Sequence, residues 1–116
     1  YKVITYLDRD IKTRQYEGET WRSICDDIVD HLPKKVHISF DIDGLDPKLC
    51  PNTGTPVHGG FDAEQVIYLF NRIIKSCRQL IGFDLVEIGV GDGTWDANVG
   101  ARILWKLCNL MIASNG

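Results

Sequence analysis

Apolar and polar positions change period several times along this chain. Lys2 to Leu7 reads Lys-Val-Ile-Thr-Tyr-Leu, which predicts a short strand. Asp8 to Gly18 is polar and reads as a loop. From Glu19 to Leu32, Trp21, Ile24, Cys25, Ile28, Val29 and Leu32 fall three or four apart, which predicts a helix that Pro33 stops. Asp26, Asp27 and Asp30 lie on its other side as a solvated face, and His31 sits near its end, facing the dipole or solvent. Val36, Ile38, Phe40 and Ile42 then alternate with His37, Ser39, Asp41 and Asp43, the period-two pattern of a strand.

The second half repeats the alternation of element types. Asp62 with Gln65 three residues later forms a capping-box signature. Val66, Ile67, Leu69, Phe70, Ile73, Ile74 and Cys77 give the following helix its apolar stripe. Leu80 to Val90 is apolar apart from Asp84 and Glu87, as suits a parallel strand covered on both faces, and Gly89 to Gly93 ends it. Its glycines do not have the G-x-G-x-x-G spacing of a nucleotide loop. A final helix runs from Val99 to Ala113, with Val99, Ile103, Leu107, Cys108 and Met111 inward. The order implies an α/β fold, a parallel sheet of about three strands with helices on both faces.

The candidate chemistry lies at the end of the central strand. Asp41 and Asp43 project to the same side of a strand, where two carboxylates repel and lose hydration. A hard divalent cation offsets that cost, and open α/β sheets collect ligands at the carboxyl ends of their strands. Asp46-Pro47 is by itself a turn signal, so Asp46 reads as structural. The loop Cys50 to Gly60 is stiffened by prolines and opened by glycines, as suits close approach to a ligand or plain turn chemistry.

Ser39-Phe40-Asp41-Ile42-Asp43-Gly44-Leu45-Asp46-Pro47, then Thr53-Gly54-Thr55-Pro56-Val57 and Gly59-Gly60, resembles the ureohydrolase family of arginases, agmatinases and formimidoylglutamases. Gly82-Phe83-Asp84-Leu85-Val86-Glu87 resembles the family strand that ends in a substrate-facing acid. Trp95 to Arg102 resembles the start of its last helix. The similarity runs from Val36 to Met111 and is nearest to arginase.

The resemblance implies a three-layer α/β/α domain on an eight-stranded parallel sheet, of which residues 1–116 would be the C-terminal part. It implies a pair of Mn²⁺ ions held by histidines and aspartates, whose shared water attacks a guanidinium carbon. Asp41 would bridge both metals, and Asp43 would bind one. Glu87 would pair with the substrate guanidinium, or else be a strand-end carboxylate bonded to local backbone. Thr55 would lie near that group, or be a rigid-loop hydroxyl. Paired ions about 3.5–4 Å apart suit this chemistry. His58 reads as a solvent-exposed loop histidine, with a place near the substrate mouth as the alternative, and His37 as a satisfied core histidine.

The family also uses an earlier histidine and an Asp-x-His-x-Asp motif, neither of which occurs in these 116 residues. Tyr1 is not an initiator methionine, so these ligands are expected upstream in a longer protein, and this stretch alone is expected to be inactive. The implied reaction is Mn²⁺-dependent cleavage of a guanidino C–N bond, L-arginine to L-ornithine and urea. Agmatine and formimidoylglutamate are the alternatives in the class, and an inactive scaffold or oligomerisation fragment is the alternative outside it. Relatives form trimers or hexamers, so a homo-oligomer is expected.

Composition narrows the remaining classes. A hydrophobic share of 44% with 25% charged residues is that of a globular domain. A net charge of -3 without a basic run argues against nucleic acid, and no apolar run is long enough for a membrane span. Cys25, Cys50, Cys77 and Cys108 form no C-x-x-C pair. With Cys25, Cys77 and Cys108 on apolar helix faces, they read as buried, reduced thiols of a cytoplasmic protein.

Overall fold

A computed structural model describes residues 2–116. Its elements are α1 (Asp8–Tyr16), α2 (Trp21–Asp30), β1 (Lys35–Asp41), a 3₁₀ turn (Ile42–Gly44), α3 (Ala63–Lys75), β2 (Gln79–Val86) and α4 (Trp95–Asn115). The strands pair in parallel, with α3 as the crossover between them. Among the described residues two strands form, one fewer than the pattern predicts, and Lys2–Leu7 belongs to neither.

The register puts His37 beside Gly82, Ser39 beside Asp84 and Asp41 beside Val86, with one irregularity between Val36 and His37. Alternation in β1 is complete. Val36, Ile38 and Phe40 are buried, while Lys35, His37, Ser39 and Asp41 are exposed. The buried row packs with Val66, Phe70 and Ile73 of α3 and with Val99, Ile103, Leu107 and Leu110 of α4. Phe40 meets Phe70 edge-to-face at 5.8 Å between centroids. Ile42, Leu45 and Cys50 are fully buried, so the loop after β1 is part of the core.

That loop is an excursion closed at its base. Phe61 N–H donates to the Gly44 carbonyl at 3.0 Å, and Asp46 N–H donates to the Phe61 carbonyl at 2.9 Å. Gly60 makes the closure sterically feasible, because its φ of +87° is left-handed and an added Cβ would lie 2.7 Å from the Leu45 carbonyl carbon. Asp46 accepts from Lys48 N–H at 2.9 Å, the structural turn role expected of it. At α3, Gln65 reaches back to accept from Asp62 N–H at 3.4 Å, as the capping signature predicts.

Several expectations are corrected. Asp8–Tyr16 is a helix rather than a loop; its only buried residue is Ile11, so it carries no apolar stripe to signal it. It is held by charge. Arg14 pairs with Glu19 and, at 3.1 Å, with Asp27, while Asp8 and Asp10 suit the helix N-terminus. Asp26 is likewise not simply solvated, since it pairs with Arg72 of α3. β2 stops at Val86, four residues early, because Glu87 turns left-handed at φ +66°. Its Ile81 and Val86 are 52% and 43% exposed, so within this chain the strand is not covered on both faces. His37 is exposed rather than a core residue. Cys77 and Cys108 are exposed, and only Cys25 and Cys50 are buried. His31 caps α2, with Nδ1 2.7 Å from the Asp27 carbonyl.

The Gly60 closure is testable. Gly60→Ala should lower stability by more than ~2 kcal/mol, since the methyl group meets backbone. Gly18→Ala, at φ +100° with open space around the added atom, should cost nearer ~1 kcal/mol. Urea denaturation of the two variants side by side gives the order, and equal costs would refute the close-approach argument.

Candidate functional site

Asp41 ends β1 on its exposed row, and the chain then curls into the 3₁₀ turn rather than continuing extended. Asp43 therefore reaches Asp41 by a route other than strand alternation. Its backbone N–H donates to Asp41 Oδ1 at 3.0 Å, which keeps the two carboxylates adjacent. Thr55 donates its hydroxyl to Asp43 Oδ2, fixing that carboxylate from across the loop. Glu87 follows Val86, the register partner of Asp41. A Cβ placed on Gly54 would lie 3.2 Å from Glu87 Oε2, so the Glu87 carboxylate rests against the loop one residue before Thr55. The fold thus gathers Asp41, Asp43, Thr55 and Glu87 at the carboxyl ends of both strands.

Partial desolvation, followed by the neighbouring Asp43, pushes the Asp41 carboxyl above the usual range. One Asp41 oxygen takes the Asp43 amide and one Asp43 oxygen takes Thr55. Two adjacent carboxylates of this kind are oxygen donors of the type that fits hard divalent ions. Among the described residues, however, no group of three or more His, Cys, Asp or Glu side chains converges as a complete metal cage. The fit is therefore of two adjacent ligands, not of a closed site.

The other candidates stand apart. His58 is an exposed loop residue, as expected. His37 lies one pleat below, with Nε2 3.9 Å from Asp84 Oδ2, and Ser39 donates to Asp84 Oδ1 at 2.7 Å. Burial pushes the Cys25 thiol up to about 12, and burial with the nearby acids raises Cys50.

Sequence reasoning missed Asp96. It is 1% exposed, and its oxygens accept from Asn52 N–H at 2.9 Å and Asn52 Nδ2 at 3.0 Å. In the sequence it is one acid in the first turn of a helix, and nothing there links it to Asn52.

The Arginase family pattern matches residues 2–109. The chain belongs to the arginase family. Arginase-1 of Sus scrofa is 47% identical over 55 residues, 47% of this chain and 17% of that protein. The N(1)-aminopropylagmatine ureohydrolase of Thermus thermophilus is 41% identical over 63 residues, 54% of this chain and 21% of its own length. A guanidinobutyrase of Pseudomonas aeruginosa is 36% identical over 98 residues, 77% of this chain and 30% of that protein. The solved proclavaminate amidino hydrolase of Streptomyces clavuligerus superposes with a TM-score of 0.76 at 24% identity, over 92% of this chain and 34% of its own. That likeness carries the arginase fold, in agreement with the parallel α/β architecture. The chain spans less than a third of the length of these curated relatives.

A carboxylate whose charged form is disfavoured destabilises the metal-free chain. Asp41→Asn should therefore leave the thermal midpoint equal or higher at neutral pH. A variant that unfolds more readily by thermal denaturation would assign the Asp41 carboxylate a structural role instead.

Proposed function

We propose that residues 1–116 are the C-terminal part of a single arginase-family domain that hydrolyses a guanidino C–N bond with two Mn²⁺ ions. The observation that carries this reading is the meeting of Asp41, Asp43, Thr55 and Glu87 at one strand edge. Asp41 and Asp43 are the metal ligands this chain contributes. The remaining ligands come from elsewhere in the complete protein. A bound Mn²⁺ pair supplies activation of water and polarisation of the substrate.

The chain's own residues then have defined work. Glu87 accepts the N–H groups of the planar guanidinium, a match of charge and geometry that a carboxylate meets well. Its place against Gly54 limits its swing. Thr55 spends its hydroxyl proton on Asp43, so that carboxylate is held in one orientation. The lone pairs left on the Thr55 oxygen are free to accept from substrate.

L-arginine, giving L-ornithine and urea, is the favoured substrate. The Thr53-Gly54-Thr55-Pro56-Val57 loop resembles that of arginases, and Arginase-1 sequences stand among the relatives. Agmatine, formimidoylglutamate and, from the guanidinobutyrase relative, guanidinobutyrate are the alternatives. The free cysteines suit a reducing cytoplasmic setting, and assembly as a trimer or hexamer follows the family resemblance.

Urea release from arginine by the complete protein, with and without Mn²⁺, tests this. Turnover should require Mn²⁺ and fall by ~10³-fold or more in Asp41→Ala. Urea from agmatine or guanidinobutyrate, or formamide from formimidoylglutamate, with none from arginine, would reassign the substrate. No metal-dependent turnover of any of them would leave an inactive scaffold.

A further inference from the structure

The loop that carries Thr55 is tied to the fold from the far side, and the tie passes through Glu87. Asp96, in the first turn of α4, is buried and belongs to none of the ion pairs among the described residues. Its two oxygens instead accept one N–H from the Asn52 backbone and one from the Asn52 side-chain amide. Asn52 is also closed in by the β2 exit. A Cβ on Gly89 would lie 1.7 Å from the Asn52 carbonyl oxygen, and one on Gly91 would lie 2.1 Å from Asn52 Oδ1. No side chain fits at either glycine while Asn52 keeps this place.

The next residue completes the link. Thr53 is 5% exposed, and its hydroxyl donates to the Glu87 carbonyl at 2.8 Å. Among the described residues, Glu87 is one of two non-glycine residues with positive φ, at +66°. That backbone is disfavoured for a residue with a Cβ, so it persists only where neighbours over-determine it. The Thr53 hydroxyl is the hydrogen bond that does so, and Gly54 lets the Glu87 carboxylate lie against the same segment.

We propose that Asp96 is a positioning residue: by holding Asn52 it fixes the 53–55 segment, and through the Thr53 hydroxyl it keeps Glu87 in its left-handed conformation beside the Asp43–Thr55 pair. The function of this device rests on the reading of Glu87 as the guanidinium partner; its mechanics do not. A carboxylate that meets a planar cation bidentately is sensitive to small misplacement, so the tie sets how well substrate is held rather than whether metal binds.

The test uses the complete protein with Asp96→Asn, Thr53→Val and Thr53→Ser. Asparagine at 96 loses one of the two acceptors, valine at 53 removes the hydroxyl at nearly constant volume, and serine keeps it. Amide hydrogen exchange should quicken across residues 87–91 in Asp96→Asn and Thr53→Val and stay at the parent rate in Thr53→Ser. In the same two variants kcat/KM for the guanidino substrate should fall about tenfold with bound Mn²⁺ unchanged. Adding either change to Glu87→Gln should cost little more than Glu87→Gln alone. Unchanged exchange at 87–91, or losses that multiply with Glu87→Gln, overturns the proposal. Should Asp96→Asn fail to fold, the Thr53 pair decides. Full turnover by Glu87→Gln would sink the substrate role of Glu87, while the exchange result still decides the mechanical link.

Discussion

The parallel pairing of β1 with β2 is the constraint on which the site depends. Asp41 and Val86 are register partners at the last rung, so the two strands run out together and their following residues share one edge. A slip of one residue would move Glu87 by about 3.3 Å and send it to the other face of the sheet. The irregularity between Val36 and His37 matters for the same reason. It brings Gly82 rather than Ile81 opposite His37, and every later pair follows from that offset. An added Cβ at Gly82 would lie 2.9 Å from His37 Cδ2, so a small residue suits the rung where the register is reset.

Where burial was the cause of structure, the sequence disclosed it. β1, α2, α3 and α4 each bury a periodic apolar row, and that row is visible as spacing. α1 was hidden because its cause is different: one buried residue, terminal charges that suit the dipole, and Arg14 reaching to Glu19 and Asp27. Lys2–Leu7 failed in the opposite sense, since it has the apolar pattern of a strand yet belongs to neither strand among the described residues. The end of β2 lay outside pattern reasoning altogether. Ile88 and Val90 continue the apolar run, but Glu87 breaks the ladder by its backbone conformation.

The site divides in the same way. Asp41 and Asp43 stand out in the sequence as paired acids at the end of an apolar strand, although Asp41 lies on the exposed row of that strand rather than the buried one. Strand alternation alone does not account for their closeness, since Asp43 sits in the 3₁₀ turn and comes back through its own amide. Asp96, Asn52 and Thr53 are polar residues at ordinary turn and helix-start positions. Their bonds span 34 to 44 residues of sequence, and no local pattern encodes a partner at that range.

The open face of the sheet bears on how the site is completed. The Val36, Ile38 and Phe40 row is sealed by α3 and α4, so no further group reaches Asp41 from that side. Asp41 projects from the other row, above Ser39 and His37, with Asp84 alongside on β2. That row is polar and hydrogen-bonded laterally, Ser39 to Asp84, rather than apolar like the row beneath. A layer packed over it would therefore meet it with hydrogen-bonding groups, because burying these carboxylates against hydrocarbon costs more than it returns. Any further group that joined Asp41 and Asp43 in holding a cation would come over this polar face or beyond the strand ends. The closed loop from Leu45 to Phe61 already occupies part of that second route with Thr55.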